Sequence, residues 1–412
     1  MNIQLQRTLD RWVGVPLCAG FTVVDKLCAL FRRKPGEPKK ILVILLSEMG
    51  SLVLAQPMFN RIRDQYPKAE IHMLMFSKNK EVLELMGVVA KEHIIGLNDK
   101  KLSAFLVDTI KALLKLRSAR FDVVIDCELF ARTSSLFSWM TGAPVKVGFH
   151  PHTQEGLYRG DFITRPVNYN PYAHLSQQLL SLVEAIESTG KPVAKFPLAP
   201  RSNFVKPVDF PQNELEVVAR AMHEEFPAVR GKRLVLVYPG GGILPIRAWP
   251  LDKYKALCSD LVGAGFAVGL IGLREDKPLA REIVQHCQHE NLIDLTGYTS
   301  SVRHLLALFH RSDLLITNDG GPAQFSALTP IYSLVFFGPE TPILYGALTD
   351  RSFNFFEGFG CSPCLTAYNH RLSPCNGDNR CISSISLERV LSKAKELLEK
   401  SSSEQVRHLA SL

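Results

Sequence analysis

Two loops in the C-terminal half of this 412-residue chain carry residue types that bind anions. In residues 238–250 an apolar run ends in Pro-Gly-Gly-Gly, and Arg247 and a Trp-Pro pair follow before a helical pattern begins. Glycines such as Gly241 and Gly242 let a backbone approach an anion closely, and a guanidinium can contact a phosphate through two parallel hydrogen bonds. This loop therefore predicts a phosphate site, with a flexible surface loop and a solvated arginine as the alternative.

The second loop, residues 317–324, reads Thr-Asn-Asp-Gly-Gly-Pro-Ala-Gln and follows another apolar run. It is expected to open a helix, and the free N–H groups of a helix N-terminus attract anions. An aspartate cap on a tight turn, without a ligand, is the alternative interpretation. Two such loops after strands of one domain favour a single diphosphate held by both.

Common nucleotide and metal motifs are absent from the sequence. It has no Gly-x-x-x-x-Gly-Lys-Ser/Thr loop, and the Gly-Ala-Gly at residues 263–265 precedes a strand pattern rather than opening a helix. No two aspartates are separated by one residue, which removes the usual Asp-x-Asp site for a metal-bound diphosphate. Arg247 and helix N-termini are therefore expected to stabilise the charge of a leaving diphosphate without a divalent ion.

Two series of alternating strand and helix patterns would position these loops. The first series begins at residue 40 and the second at residue 234. Such alternation predicts α/β domains with doubly wound parallel sheets, which bind ligands at the carboxyl ends of their strands. A proline-rich stretch near residues 192–211 separates the two series. We therefore predict two domains, residues 40–195 and 205–400, facing each other across a cleft.

Five motifs, in this order, resemble glycosyltransferase family 9, which contains the lipopolysaccharide heptosyltransferases. They are Ile-Leu-Val-Ile-Leu-Leu-Ser-Glu-Met-Gly at 41–50, Arg-Ala-Trp-Pro at 247–250, Asp-Leu-Thr-Gly at 294–297, Asn-Asp-Gly-Gly-Pro at 318–322 and Phe-Phe-Gly-Pro-Glu-Thr-Pro at 336–342. The resemblance covers about residues 40–385. It implies a GT-B fold of two Rossmann-like domains and inverting transfer that requires no metal or other cofactor. It also implies an N-terminal acceptor domain and a C-terminal domain for a nucleotide-sugar donor, with an ADP-sugar expected.

The resemblance also implies residues of the donor site. Arg247 stands at the position of the family's phosphate-binding lysine, and Glu275 lies near its ribose-binding acid. Gln324 stands where many members have histidine, so it keeps hydrogen bonding but carries no charge. The remaining implied donor residues are Thr296 and Gly297 beside the nucleotide, and Asp319, Gly320 and Gly321 at the diphosphate and sugar.

The catalytic base departs from the family pattern. The family usually has aspartate directly after the first glycine, and that position is Ser51, whose hydroxyl has no useful basicity near neutral pH. Glu48 is the predicted substitute that takes the proton from the acceptor hydroxyl, unless it only caps the following helix. Asp126 and Glu128 are the reserve candidates. The residues predicted to bind the acceptor are Asp126, Glu128 and Arg132.

The first 39 residues are predicted to form an amphipathic segment that associates with a membrane. Eight basic and three acidic side chains in residues 1–40 give a surplus of five within a net charge of +8. The uncharged run at residues 12–24 is shorter than the roughly 20 residues that span a bilayer, and no nucleic-acid motif accompanies it. We therefore expect a protein on the inner, cytoplasmic face of the cytoplasmic membrane, with anionic lipid as a partner and no nucleic acid. The alternative is a helix packed on the protein's own surface. The side chains predicted to enter lipid are Trp12, Val15, Phe21, Leu27, Leu30 and Phe31, and those predicted to meet phosphate head groups are Arg32, Arg33, Lys34, Lys39 and Lys40.

The nine cysteines fall into two groups. Five are scattered through apolar or helical patterns and are expected to be buried free thiols in a reducing compartment. They are Cys18, Cys28, Cys127, Cys258 and Cys287. The other four are spaced so that they are candidate ligands of a structural zinc ion, with free thiols as the alternative. They are Cys361, Cys364, Cys375 and Cys381.

These observations favour an inverting, metal-independent glycosyltransferase. The expected reaction moves a heptose-like sugar from a nucleotide sugar to a lipopolysaccharide-core, lipid-linked or other envelope glycan. Ser51 motivates one alternative, a catalytically degenerate relative that still binds a nucleotide sugar. A nucleotide-sugar epimerase on the same scaffold is another alternative, and it would form product from the donor alone.

Overall fold

The computed structural model describes residues 8, 10–28, 30, 33–46, 48–98, 102–129, 131–150, 158–188, 204–366, 372–373 and 375–410. The chain divides into two compact units, Met1–Asn203 and Phe204–Leu412. Each unit contains a six-stranded sheet with helices between its strands. The prediction of an α/β protein is confirmed.

The sheet of the first unit is parallel and has the strand order of a Rossmann domain. Its strands are β1 (Lys40–Ile44), β2 (Glu70–Phe76), β3 (Ile94–Leu97), β4 (Val123–Asp126), β5 (Val145–Phe149) and β6 (Arg165–Val167). They lie in the order β3-β2-β1-β4-β5-β6. The order reverses between β1 and β4, so this is where a ligand crevice is expected.

The sheet of the second unit repeats this arrangement. Its strands are β7 (Leu234–Tyr238), β8 (Ala267–Gly272), β9 (Leu292–Thr296), β10 (Leu314–Asn318), β11 (Tyr332–Phe336) and β12 (Ser352–Phe355). They lie in the order β12-β11-β10-β7-β8-β9, and all pairs are parallel. The reversal here lies between β7 and β10. Both central strands are fully buried, as expected where helices cover both faces of a parallel sheet.

The helices of the first unit are α1 (Gly14–Leu27), α2 (Met49–Leu54), α3 (Gln56–Gln65), α4 (Lys80–Met86), α5 (Leu102–Ala119), α6 (Arg132–Met140) and α7 (Leu175–Glu184). Those of the second are α8 (Gln212–Glu225), α9 (Leu251–Gly263), α10 (Lys277–Cys287), α11 (Val302–His310), α12 (Gly321–Ser326), α13 (Pro342–Tyr345), α14 (Arg380–Ser383) and α15 (Leu387–Ala410).

The sequence patterns locate all but four of the strands, and three of those four lie at sheet edges. Apolar runs at residues 70–76, 234–238 and 332–336 predict β2, β7 and β11 with the bounds that the structure has, whereas no pattern predicts β3, β5, β6 or β12. β6 has three residues including Pro166, and Lys146 interrupts the apolar run of β5. The sequence after β1 predicts one helix that runs from the turn at residues 47–51 through about Tyr66, but the structure breaks it into α2 and α3 at Ala55. Of the proline-rich stretch, residues 192–203 lie outside the described residues.

Helix α1 packs on the rest of the first unit. A helix packed on the protein's own surface is the alternative to membrane association that the sequence leaves open. Phe21 stacks on Trp139 with ring centroids 4.3 Å apart, so the prediction that Phe21 enters lipid is wrong. The indole N–H of Trp139 donates to the carboxylate of buried Asp25 at 3.0 Å. Thr22 is buried on the same side and accepts from the N–H of Asp161 at 2.9 Å. One face of α1 is therefore part of the fold of this unit.

The outer face of α1 is apolar and exposed. Val13, just before the helix, and Leu17, Val24 and Leu27 within it share this face and are 42–74% exposed. Beyond the helix, the guanidinium of Arg33 forms an ion pair with Asp122 at 2.8 Å instead of being free for a phosphate head group. The predicted lipid contacts at Phe31 and Arg32 lie outside the described residues. In the described part of the chain, no helix combines the length and apolar character needed to span a bilayer.

Candidate active site

The loop after β7 follows a backbone path that side chains would block. A Cβ atom on Gly241 would lie 2.7 Å from the carbonyl oxygen of Leu244 and 2.8 Å from the Cα of Pro245. Gly242 has a φ of 61°, in the left-handed region that favours glycine. The turn therefore requires both glycines, and it leads into the short 3₁₀ turn that carries Arg247.

Asn318, the last residue of β10, joins this loop to the second one. Its buried amide donates to the carbonyl oxygens of Pro239 at 3.3 Å and Gly240 at 2.9 Å. Its Oδ1 accepts from the N–H of Trp249 at 2.9 Å and from the hydroxyl of Tyr254 at 3.0 Å. The two predicted anion loops therefore lie side by side, at the reversal point of the sheet.

Arg247 is buried against two carboxyl groups. Its Nη2 lies 2.8 Å from Oε1 of Glu340, and its Nε lies 3.7 Å from Oδ2 of Asp319. Burial, and then the neighbouring Asp319 carboxylate, raises the pKa of Glu340 to about 8, and burial also raises the pKa of Asp319. These residues lie just beyond the carboxyl ends of β7, β10 and β11. A guanidinium in this position can exchange a carboxylate partner for a phosphate.

Glu340 is absent from the residues predicted from sequence. It lies in the loop after β11, within the 336–342 motif that contributes to the family resemblance. The rule that selects Arg247 and Asp319, a polar residue just beyond a buried parallel strand, also selects Glu340. The signal was therefore present in the sequence, but nothing there shows that the three side chains meet.

A cavity of about 330 Å³ opens beside the glycine-rich loop. Its lining includes Gly241, Trp249, Asp276 and Leu279. The predicted ribose-binding acid, Glu275, is exposed and does not line this cavity, whereas the next residue does. Asp276 also accepts from the N–H of Leu273 at 2.8 Å, and the ribose-binding role of Glu275 stays a prediction.

Thr296 and Gly297 lie at the carboxyl end of β9. The backbone N–H and the hydroxyl of Thr296 both donate to Asp294, at 2.9 and 2.5 Å. Gly297 has a φ of 72° and donates its N–H to Gly272 at 2.9 Å, and a Cβ there would meet the side chain of Arg274. Both residues therefore belong to the same edge of the sheet as the glycine-rich loop.

Gly320 and Gly321 lead into α12, which has only six residues. Gln324, within that helix, is buried and donates from Nε2 to the carbonyl oxygen of Tyr345 at 2.6 Å. Its Oε1 is buried as well and has no hydrogen-bond partner among the described residues. An amide oxygen in this position can accept a hydrogen bond from a ligand hydroxyl.

The family model of glycosyltransferase family 9 (heptosyltransferase) matches residues 110–372, more than half of the chain. The chain belongs to glycosyltransferase family 9. A relative, lipooligosaccharide heptosyltransferase 2 of Haemophilus influenzae, is 25% identical over 317 residues, which cover 76% of this chain and 87% of that protein. The protein is therefore a glycosyltransferase.

Solved structures of this family share the fold. A glycosyltransferase family 9 protein of Veillonella parvula matches with a TM-score of 0.70 and 19% identity, over 89% of this chain and 99% of that one. The E. coli ADP-heptose lipopolysaccharide heptosyltransferase II matches with a TM-score of 0.67 and 19% identity, over 88% and 99%. The predicted GT-B class, with two Rossmann-like domains, is confirmed.

In the first unit of this family 9 enzyme, Glu48 is exposed in the turn after β1. The hydroxyl of Ser51 donates to the carboxylate of Glu48 at 3.3 Å. Glu48 is the N-cap residue of α2 and its carbonyl oxygen accepts from the N–H of Ser51 at 3.1 Å, but its side chain makes no capping hydrogen bond to the helix. Its φ of 60° is rare for a residue with a side chain, and such strained positions cluster at functional sites. The geometry agrees with a base aimed at solvent, although its role stays a prediction.

The side chains of the three predicted acceptor residues make hydrogen bonds or ion pairs within the enzyme itself. Asp126 has no exposed surface, forms an ion pair with Arg159 and accepts from Ser134 at 3.1 Å. The guanidinium of Arg132 is paired with Asp10 at 3.0 Å. Glu128 accepts from the N–H of Leu46, immediately before the Glu48 turn, at 2.7 Å. Burial therefore argues against acceptor contacts by Asp126 and Arg132, whereas Glu128 supports the turn that carries the candidate base.

Replacing Arg159 with methionine is expected to lower the free energy of unfolding of the first unit by about 3–5 kcal/mol. Arg159 is 1% exposed and also donates to the carbonyl oxygens of Glu128 and Ala131, so its loss leaves a buried carboxylate without its counter-charge. Urea unfolding followed by tryptophan fluorescence measures the change. The half-exposed pair of Arg61 and Glu184 is the control, because Arg61→Met should cost less than about 1 kcal/mol. Equal effects of the two substitutions would contradict a structural role for the Asp126–Arg159 pair.

Among the described residues, the four thiols of the cysteine cluster do not converge as ligands of one ion. The other three thiols interact electrostatically with Cys381, whose pKa burial raises to about 11, so the four lie in one region. In the described part of the chain, three potential metal-ligating side chains have donor atoms within 4.8 Å of one another. They are Glu70, His72 and His93. The candidate structural zinc at Cys361, Cys364, Cys375 and Cys381 stays a prediction.

The Glu70, His72 and His93 group is arranged as a stack. The two imidazole rings lie 4.0 Å apart and only 22° from parallel, so their in-plane lone pairs do not converge on one ion. The Oε2 atom of Glu70 lies 3.4 Å from Nε2 of His72 and 3.6 Å from the ammonium of Lys40. These contacts account for the cluster without a metal.

Proposed function

We propose that this enzyme transfers a heptose-like sugar from an ADP-sugar to a lipopolysaccharide-core or related envelope glycan, with inversion and without a metal ion. The observation that carries the proposal is Arg247, buried where the loops after β7 and β10 meet beside a nucleoside-sized cavity. The E. coli relative is named for ADP-heptose, and the H. influenzae relative for lipooligosaccharide. Both names support this donor and this acceptor class.

In the proposed reaction the acceptor oxygen attacks the anomeric carbon as the bond to the diphosphate oxygen breaks. Glu48 takes the proton from the acceptor hydroxyl, and the electron pair of the breaking bond leaves with the nucleoside diphosphate. Arg247 and the backbone N–H groups of the glycine-rich loop stabilise the charge that develops on this leaving group. Attack opposite the departing diphosphate inverts the anomeric configuration.

The test is incubation of the full chain with ADP-heptose and lipopolysaccharide cores truncated at successive heptoses. The expected result is a heptosylated core, with an inverted anomeric centre by NMR and an unchanged rate in EDTA. Product from ADP-heptose alone would support the epimerase alternative. Binding of the donor without glycosylation of any core would support a catalytically degenerate relative. A rate abolished by EDTA and restored by a divalent ion would contradict metal independence.

We also propose that the exposed face of α1 binds the cytoplasmic surface of an anionic membrane. The support is the apolar stripe of Val13, Leu17, Val24 and Leu27 on a helix whose opposite face is docked on the first unit. An amphipathic helix with this arrangement lies in the plane of the bilayer interface rather than crossing it. Such an anchor would hold the enzyme beside a lipid-linked acceptor.

The double substitution Trp12→Glu and Leu27→Glu is expected to reduce binding to phosphatidylglycerol-containing vesicles at least tenfold. These side chains are 72% and 74% exposed, so the substitution should leave the fold intact while it removes apolar area and adds negative charge. Flotation of the enzyme with the vesicles measures the loss. Ile110→Glu with Leu114→Glu is the matched control on α5, where both residues are also exposed. Unchanged flotation of the α1 variant would refute the membrane proposal.

A further inference from the structure

The donor site contains two carboxyl groups and only one guanidinium. Arg247 lies 2.8 Å from Glu340 and 3.7 Å from Asp319. Both carboxyl groups therefore contact the same buried guanidinium and lie close to each other. Two carboxyl groups that share one site resist ionising together, because like charges repel at short range, and this favours a proton on one of them.

The charge of the cluster leads to the same conclusion. The side chains of Arg247, Asp319 and Glu340 are 12, 7 and 3% exposed, so water screens their charges poorly. With both carboxyl groups ionised, a site assigned to a diphosphate would carry a net charge of −1. With one proton retained, the cluster is neutral, and Arg247 can turn toward a diphosphate without leaving two carboxylates beside it.

The loop that carries Glu340 is anchored on both sides. The carbonyl oxygen of Pro339 accepts from the N–H groups of Cys364 and Leu365, both at 2.9 Å. On the other side, the hydroxyl of Thr341 caps α13 by accepting from the N–H of Ile343 at 3.2 Å. Glu340 is therefore held inside the site and can relieve the repulsion only by keeping a proton.

We propose that Glu340 is a positioning residue that acts as a neutral acid. It keeps its proton and donates a hydrogen bond to Asp319, so Asp319 remains the single ionised carboxylate beside Arg247 and the site stays receptive to a diphosphate. This inference rests on the proposed nucleotide-sugar donor. It adds a proton requirement at the loop after β11 to that proposed site.

The proposal predicts a pH dependence with a definite sign. Glu340 has a pKa of about 8, raised by burial and then by Asp319, so the neutral form dominates below that pH. The other groups acting on this cluster are Arg247, which stays charged, and the Tyr345 hydroxyl beside it. As the pH rises through 8, Glu340 loses its proton, and a second carboxylate opposes the diphosphate. ADP affinity should therefore fall as the pH rises, by about tenfold between pH 7 and pH 9 for one proton.

The experiment is calorimetric titration of the full-length enzyme with ADP from pH 7 to pH 9, a range above the titration of the nucleotide's own phosphate near about pH 6. Wild type should show the tenfold loss. Glu340→Gln imitates the neutral acid, so it should bind ADP within about threefold of wild type at pH 7 and lose the pH dependence. Glu282→Gln, at an exposed ion pair on α10, is the matched control and should retain it.

The outcomes separate this inference from the proposed function. A flat wild-type profile, which needs no variant, would overturn the role of Glu340 while leaving a nucleotide site intact. A Glu340→Gln enzyme that keeps the wild-type slope would overturn it as well. If neither ADP nor UDP nor GDP binds at pH 7, the proposed donor site itself is wrong.

Discussion

Replacing Arg247 with methionine is expected to weaken ADP binding at least ~100-fold. The substitution removes a guanidinium from a buried cluster and leaves Asp319 without its counter-charge, which costs about 3 kcal/mol or more. A factor of ten in affinity corresponds to about 1.4 kcal/mol, so the expected loss is two orders of magnitude. Calorimetric titration with ADP at pH 7 measures it.

Two further variants test whether charge or shape is responsible. Arg247→Lys keeps the positive charge, and lysine binds phosphate as a point charge without the two-pronged geometry. It should therefore recover most of the affinity lost in Arg247→Met. Arg303→Met is the matched control, because Arg303 forms a two-pronged pair with Glu214 on the surface of the same unit. If Arg303→Met weakened ADP binding as much as Arg247→Met, the effect would reflect general destabilisation of the unit.

Replacing Glu48 with glutamine is expected to lower kcat by about 10²–10⁴-fold, the usual contribution of a positioned general base. Donor affinity should stay unchanged, because Glu48 belongs to the first unit, whereas Arg247, Asp319 and Glu340 belong to the second. Glutamine keeps the size and the hydrogen bond with Ser51 but cannot accept a proton. Initial rates with ADP-heptose and a truncated core, together with ADP titration of the same variant, measure both quantities.

The Glu48→Gln variant also tests which carboxylate of the first unit is the catalytic base. Glu92→Gln, at an exposed glutamate of the same unit, should leave kcat within about twofold and serves as the control. A Glu48→Gln enzyme with wild-type kcat would exclude Glu48 as the base. Loss of activity in Glu128→Gln instead would point to the carboxylate that supports the same turn. Ser51→Ala should have a small effect, because the hydroxyl only contacts Glu48.

Sequence patterns predicted the central strands better than the outer ones for a physical reason. A strand such as β7 is covered on both faces, so it reads as a continuous apolar run that stands out from its neighbours. β6 and β12 lie at sheet edges, where half-exposed positions carry polar residues and Pro166 is tolerated. The residues of these edge strands form no distinctive apolar run, because pairing with the neighbouring strand is what holds them in the sheet.

The amphipathic N-terminal segment shows the same limit. Its composition indicates an apolar helix with basic flanks, but composition cannot say which apolar side chains are already covered. Phe21 is covered by Trp139, and Asp25 accepts from the same indole, more than 100 residues away in the chain. The lipid interpretation therefore applies only to the face that this packing leaves open.

By itself, the sequence determined the α/β class, the two series of strands and the glycine-rich turns, because each depends on local backbone requirements. Gly241 and Gly242 are examples, since their turn excludes side chains whatever surrounds it. Only the tertiary structure decided which charges meet. Arg247, Asp319 and Glu340 follow three different strands, and Asp126 is paired with an arginine 33 residues away. Their protonation and accessibility depend on burial and on partners distant in sequence, and folding alone brings those together.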